Sequence, residues 1–120
     1  MDNSVLSPDA SLVAIDRWQA LTAEQRRGFA PLCPDLVVEL ASPSDEGARG
    51  LTVLRRKMGA YQRNGARLGW LLIPAEQAVE IWEPLSDPPA RPRRIEAACR
   101  LDGDPQFPGL ALDLEEIWAA

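Results

Sequence analysis

From Pro34 to Ser44 the chain reads Pro-Asp-Leu-Val-Val-Glu-Leu-Ala-Ser-Pro-Ser, an apolar run carrying one carboxylate, Glu39, near its end. In an extended segment Leu36, Val38 and Leu40 share one face, and Asp35, Val37 and Glu39 the other. Apolar residues on both faces predict a central strand covered on two sides, closed by Pro43. Upstream, Ser7 to Ile15 sets Ala10, Leu12 and Ala14 against Asp9, Ser11, Val13 and Ile15, which predicts a strand with Asp9 at its start. Between these strands, Thr22 and Gln25 form a capping box and Gly28 a stop, so a short helix is expected over 22–28.

Ser44 to Gly50 is polar and glycine-bearing and predicts a loop. From Leu51 to Gly65 the period changes: Leu54, Met58, Tyr61 and Gly65 recur at helical steps, with Asn64-Gly65 as the C-terminal signal. Lys57 falls on the flank of this stripe, while Arg55, Arg56 and Arg63 point elsewhere. Leu68 to Ile73 is a continuous apolar run ended by Pro74, a second buried strand. Strand, helix and strand in this order predict a crossover with the two strands parallel, which lays the Lys57 helix over the sheet carrying Glu39. Ala78 to Glu83 alternates and is expected to pair antiparallel with the preceding strand. Pro84 to Pro92 reads as a surface loop, Ile95 to Leu101 as an edge strand, and Asp102 to Pro105 as a turn. Phe107 to Trp118 returns apolar side chains to the body, ending in a short helix.

With 120 residues the chain has the size of one domain. A hydrophobic share of 46% and a charged share of 26% are ordinary for a folded protein. A net charge of -5 argues against wholesale wrapping of nucleic acid but allows a local basic face. No apolar run approaches the roughly 20 residues of a membrane span, and Met1-Asp2-Asn3-Ser4 lacks a signal pattern; the expected location is cytoplasmic. Cys33 and Cys99 stand apart and histidine is absent, which excludes common zinc sites and a Cys/His nucleophile. Carboxylates and Lys57 remain as the chemical groups. Lys57 is also the single lysine beside twelve arginines. Codon usage in a GC-rich genome explains this on composition alone; the other explanation is that arginine cannot replace a compact ammonium there.

A carboxylate within an apolar strand is costly to desolvate unless a cation, a metal or donors meet it. Asp9 at one strand start, Glu39 in the next strand and Lys57 on the following helix form a set that could bind Mg²⁺ and attack a phosphodiester. Taken singly, Asp9 also fits an Asx turn after Pro8, Lys57 a snorkelling surface lysine, and Glu39 a structural pair with an arginine. Arg55, Arg56 and Arg63 could track a phosphate backbone, although a solvated helix face is the commoner meaning. Trp18, Trp70, Trp82 and Trp118 are scattered, as core or interface anchors are.

Ser7-Pro8-Asp9, the segment Pro34 to Asp45, Arg56-Lys57-Met58-Gly59-Ala60-Tyr61-Gln62-Arg63-Asn64-Gly65, and the closing Phe107 to Leu114 together resemble the Uma-type restriction endonucleases, a bacterial family of the PD-(D/E)XK nuclease superfamily. The resemblance spans nearly the whole chain. It implies a single α/β restriction-endonuclease-like domain over 1–120, a mixed sheet with a strand-helix-strand crossover. Asp9 matches the first metal-binding acid, Glu39 the second, and Lys57 the motif lysine moved from a strand onto a helix. The implied activity is hydrolysis of DNA with Mg²⁺ or Mn²⁺. Relative to the family, a helix and strands that commonly precede the first acid are not seen ahead of Asp9, and Ile73-Pro74 stands where Asp-Pro is frequent. An N-terminally short member is therefore expected, with a sheet edge suited to a homodimer. The alternative is a catalytically inactive nuclease-like binding or assembly module.

Overall fold

In the computed structural model the described residues are 10–12 (backbone), 35–45, 47–84, 86 and 91–119. The strand over Ser7 to Ile15 is thus described only at Ala10–Leu12, and Asp9, Trp18, Cys33 and the helix expected over 22–28 lie outside the described residues.

The apolar runs become the sheet. Strands β1 (Ala10–Leu12), β2 (Leu36–Leu40), β3 (Leu68–Ile73), β4 (Ala78–Trp82) and β5 (Arg93–Glu96) form a five-stranded sheet in that order. β2 lies antiparallel to β1, with Ala10 opposite Val38. It lies parallel to β3, with Val37 opposite Gly69 and Glu39 opposite Leu71. β4 and β5 continue antiparallel, Glu80 pairing with Leu71 on one side and Arg94 on the other. The crossover between the parallel strands is helix α1 (Ala48–Arg63), as the sequence predicts.

Alternation along β2 sorts its side chains between two cores. Val37 packs with Ala41, Leu71 and Ile73 against Leu51, Leu54, Met58 and Tyr61 of α1. Burial of each valine, leucine, isoleucine or methionine among them contributes about 1.5–3 kcal/mol. Gly69 is part of this contact: a Cβ there would stand 2.7 Å from Met58 Cε, so the tip of Met58 rests on bare backbone. On the opposite face Leu36, Trp70, Leu72, Val79 and Ile81 meet Ala98, Leu101 and Leu114. Leu101 belongs to the two-stranded sheet of β6 (Arg100–Asp102) and β7 (Ala111–Asp113), and Leu114 precedes the short helix α2 (Glu115–Ala119).

α1 ends as Asn64-Gly65 foretold. Gly65 takes φ 102°, its N–H donates to Gln62 O at 3.2 Å, and Ala66 N–H donates to Tyr61 O at 3.0 Å. That is a Schellman closure, which needs a residue at positive φ.

Two expectations are corrected. The polar segment 44–50 is not all loop: a 3-10 turn occupies Pro43–Asp45 and α1 begins at Ala48. The edge strand expected from Ile95 to Leu101 is broken at Ala97, whose φ of 52° interrupts an extended course, so β5 and β6 enter different sheets.

Candidate functional site

Glu39 and Glu80 lie in one row across the sheet, on either side of Leu71. Both are buried, at 2% and 5% exposure, so each requires a partner on the face that α1 covers. Helix geometry supplies both. Two positions apart, Arg55 and Lys57 project about 200° apart, and they straddle the ridge that packs on the sheet. Lys57 Nζ lies 2.9 Å from Glu39 Oε1. Arg55 Nε donates to Glu80 Oε1 at 3.1 Å and Oε2 at 3.0 Å. The two acids therefore differ in their surroundings. Glu80 is clamped by a guanidinium fork, and this hydrogen bonding holds the Arg55 guanidinium above its ordinary range. Glu39 faces a point-charge ammonium whose side chain is 29% exposed, so its site reaches toward solvent.

A second donor converges on the same atom. Tyr61 follows Lys57 by one helical turn, and its hydroxyl donates to Glu39 Oε1 at 3.0 Å in a buried hydrogen bond.

Beyond β2 the chain turns over α1's first turn. Asp45 Oδ2 accepts from Ser42 N–H at 3.0 Å and from Ser42 Oγ at 2.7 Å. Those two bonds, the hydroxyl's first, hold the Asp45 carboxyl below its ordinary value; burial opposes them, and the positive charge of Lys57 adds to them. Asp45 O packs directly on Gly50, where a Cβ would stand 2.1 Å away. Only glycine lets this turn sit against the helix that carries Lys57.

Of the three residues singled out in the sequence, Glu39 and Lys57 are in contact, and Asp9 lies outside the described residues. Asp9 precedes Ala10, the register partner of Val38, and Glu39 follows Val38. Sequence patterning passes over four further polar residues in this region, Glu80 among them. Tyr61 belongs to a stripe that reads as core, and only its spacing from Lys57 hints at a polar task. Arg55, expected to point away, instead crosses to Glu80, which occupies a position of strand alternation where a valine would pass unnoticed. Asp45 reads as a loop residue.

Among the described residues no group of three or more His, Cys, Asp or Glu could hold a metal ion. Glu39 supplies one hard oxygen ligand of the kind Mg²⁺ prefers, and Mg²⁺ commonly takes one or two protein carboxylates and keeps several waters. The donor chemistry thus fits a site completed by a second acid. Two open depressions of about 330 and 430 Å³ both adjoin Cys99, and neither is lined by Glu39 or Lys57. No described helix is long and apolar enough to cross a membrane.

Among solved structures, the chain is similar to a protein described as "a putative nuclease belonging to DUF820" from Anabaena variabilis ATCC 29413. The TM-score is 0.56 at 20% sequence identity, covering 73% of this chain and 45% of that one. At that identity the likeness is one of fold, and this chain spans less than half the length of its structural relative. No curated protein matches. The family model for Uma2, described as "Putative restriction endonuclease", matches residues 2–115. With residues 2–115 of 120 matched, the chain belongs to the Uma2 family.

Proposed function

We propose that this chain is a DNA endonuclease dependent on Mg²⁺ or Mn²⁺, in which Asp9 and Glu39 hold the cation and Lys57 serves the attacking water. The carrying observation is the 2.9 Å contact of Lys57 Nζ with buried Glu39 Oε1. It joins the acid and the lysine of a PD-(D/E)XK-type set across two different elements. Family membership supports the reaction class, and the resemblance supplies Asp9.

When bound, such a cation lowers the pKa of its water and offsets charge on a phosphoryl oxygen. Lys57 brings an ammonium to the same oxygen ligand, where it can orient the nucleophilic water by hydrogen bonding and offset negative charge building on phosphorus. Water oxygen bonds to phosphorus as it gives up a proton to solvent, the bridging P–O bond breaks, and the leaving oxygen takes a proton from solvent. Glu39 stays ionised as ligand and as acceptor for Lys57.

Calorimetric titration with Mn²⁺ tests the ligand assignment. The wild-type chain is expected to bind, and Glu39→Ala to lose binding. An unchanged isotherm in the variant removes Glu39 from the site.

A second reading, a silent assembly module, draws on β5. All four of its residues are exposed and it pairs with β4 alone among the described strands, an edge of the kind that can add a strand from a second copy. Arg93, Arg94 and Glu96 on that edge also carry the charges that blunt such pairing. A homodimer in sedimentation with no cation binding would favour this module over the enzyme.

A further inference from the structure

Resting on the nuclease reading above, we infer that Tyr61 is the positioning residue of the site, its hydroxyl fixing the orientation in which the Glu39 carboxylate takes the cation. Lys57 Nζ and Tyr61 OH both meet Glu39 Oε1, at 2.9 and 3.0 Å. They are not equivalent as restraints. The lysine is a point charge on a flexible four-carbon stem, and its side chain is 29% exposed. Such a group follows a carboxylate as readily as it directs one. The tyrosine has two side-chain torsions, and its ring is 2% exposed among Val37, Met58 and Ala66, so packing sets where its hydroxyl stands.

The backbone of Tyr61 is fixed as well. Its carbonyl accepts from Ala66 N–H at 3.0 Å and from Asn64 N–H at 3.1 Å in the closure of α1. Gly65, at φ 102°, makes that closure possible. The restraint thus runs from the helix terminator, through a buried ring, to one oxygen of the acid. Partners of this kind around a metal ligand typically change cation affinity by about 10- to 100-fold.

The test compares wild type with Tyr61→Phe, which keeps the ring and removes only the hydroxyl. Mn²⁺ affinity is expected to fall about 10- to 100-fold with thermal unfolding still cooperative. Affinity within about twofold of wild type in a folded variant overturns the inference. Because Tyr61 is the single tyrosine of the chain, a wild-type sequence labelled with 3-fluorotyrosine gives one ¹⁹F resonance. That resonance is expected to shift on Mg²⁺ addition, and a resonance unmoved while calorimetry registers binding overturns the inference even if Tyr61→Phe does not fold. A wild-type chain that binds no cation at all instead contradicts the proposed function, so the two failures are separable.

Discussion

Glu39 shows how one polar residue in an apolar strand can be tolerated. A carboxylate at 2% exposure is costly without compensation, and here an ammonium and a phenol meet one of its oxygens. Its oddity is readable in the sequence; the identity of its partners is only half so. Lys57 stands out as the single lysine, whereas Tyr61 is hidden by its own hydrophobicity. Asp45 gives the residue-scale prediction. Its folded carboxyl lies below the ordinary value, so it contributes stability that is present above about pH 4 and lost as pH falls through the folded value. Asp45→Asn is therefore expected to be less stable than wild type at neutral pH, with the gap closing as the solution is acidified below about pH 4. Thermal melts across pH read this directly, and a gap that widens in acid contradicts it.

Helix α1 is fastened to the sheet at two points that flank its apolar ridge. Lys57 reaches Glu39 of β2, and Arg55 reaches Glu80 of β4. Sequence periodicity locates the ridge through Leu54, Met58 and Tyr61; the structure adds Leu51 to it and leaves Gly65 beyond the helix end. Periodicity does not find the Arg55 clamp, since one residue of a strand's alternation carries no record of what crosses from above. The start of α1 at Ala48 is likewise not legible in the periodicity. Gly47 at φ 93° and the packing of Gly50 on Asp45 are tertiary features that override the loop-like composition of 44–50. Removing the guanidinium leaves Glu80 buried and unpaired. Arg55→Ala is expected to cost about 2–3 kcal/mol in urea denaturation; the value is discounted because the Arg55 side chain is 40% exposed. Arg56→Ala, on the exposed side of the same turn, is expected to change stability by less than about 0.5 kcal/mol. Equal effects of the two substitutions would contradict the clamp.

At the scale of the molecule, the order strand, helix, strand, hairpin is legible because β3 is buried throughout, β4 nearly so, and β2 at Leu36, Val37 and Glu39, although Leu40 is exposed. The exception is the last third. There short strands carry few apolar positions, and Ala97 at φ 52° diverts the chain between two sheets. The site has the same character. Its acid and lysine come from separate elements, joined by the crossover rather than by sequence proximity, and their pairing follows once the parallel register of β2 and β3 is known. A chain of net charge -5 has no bulk attraction for DNA, so a cation between its acids and the phosphate is central to the account. The most direct test is cleavage of supercoiled plasmid at near-stoichiometric protein, with and without Mg²⁺, by wild type and Glu39→Gln. Wild type is expected to nick the plasmid only when Mg²⁺ is present, and Glu39→Gln not at all. Absence of cleavage by wild type with either Mg²⁺ or Mn²⁺, or equal cleavage by Glu39→Gln, would contradict the nuclease reading.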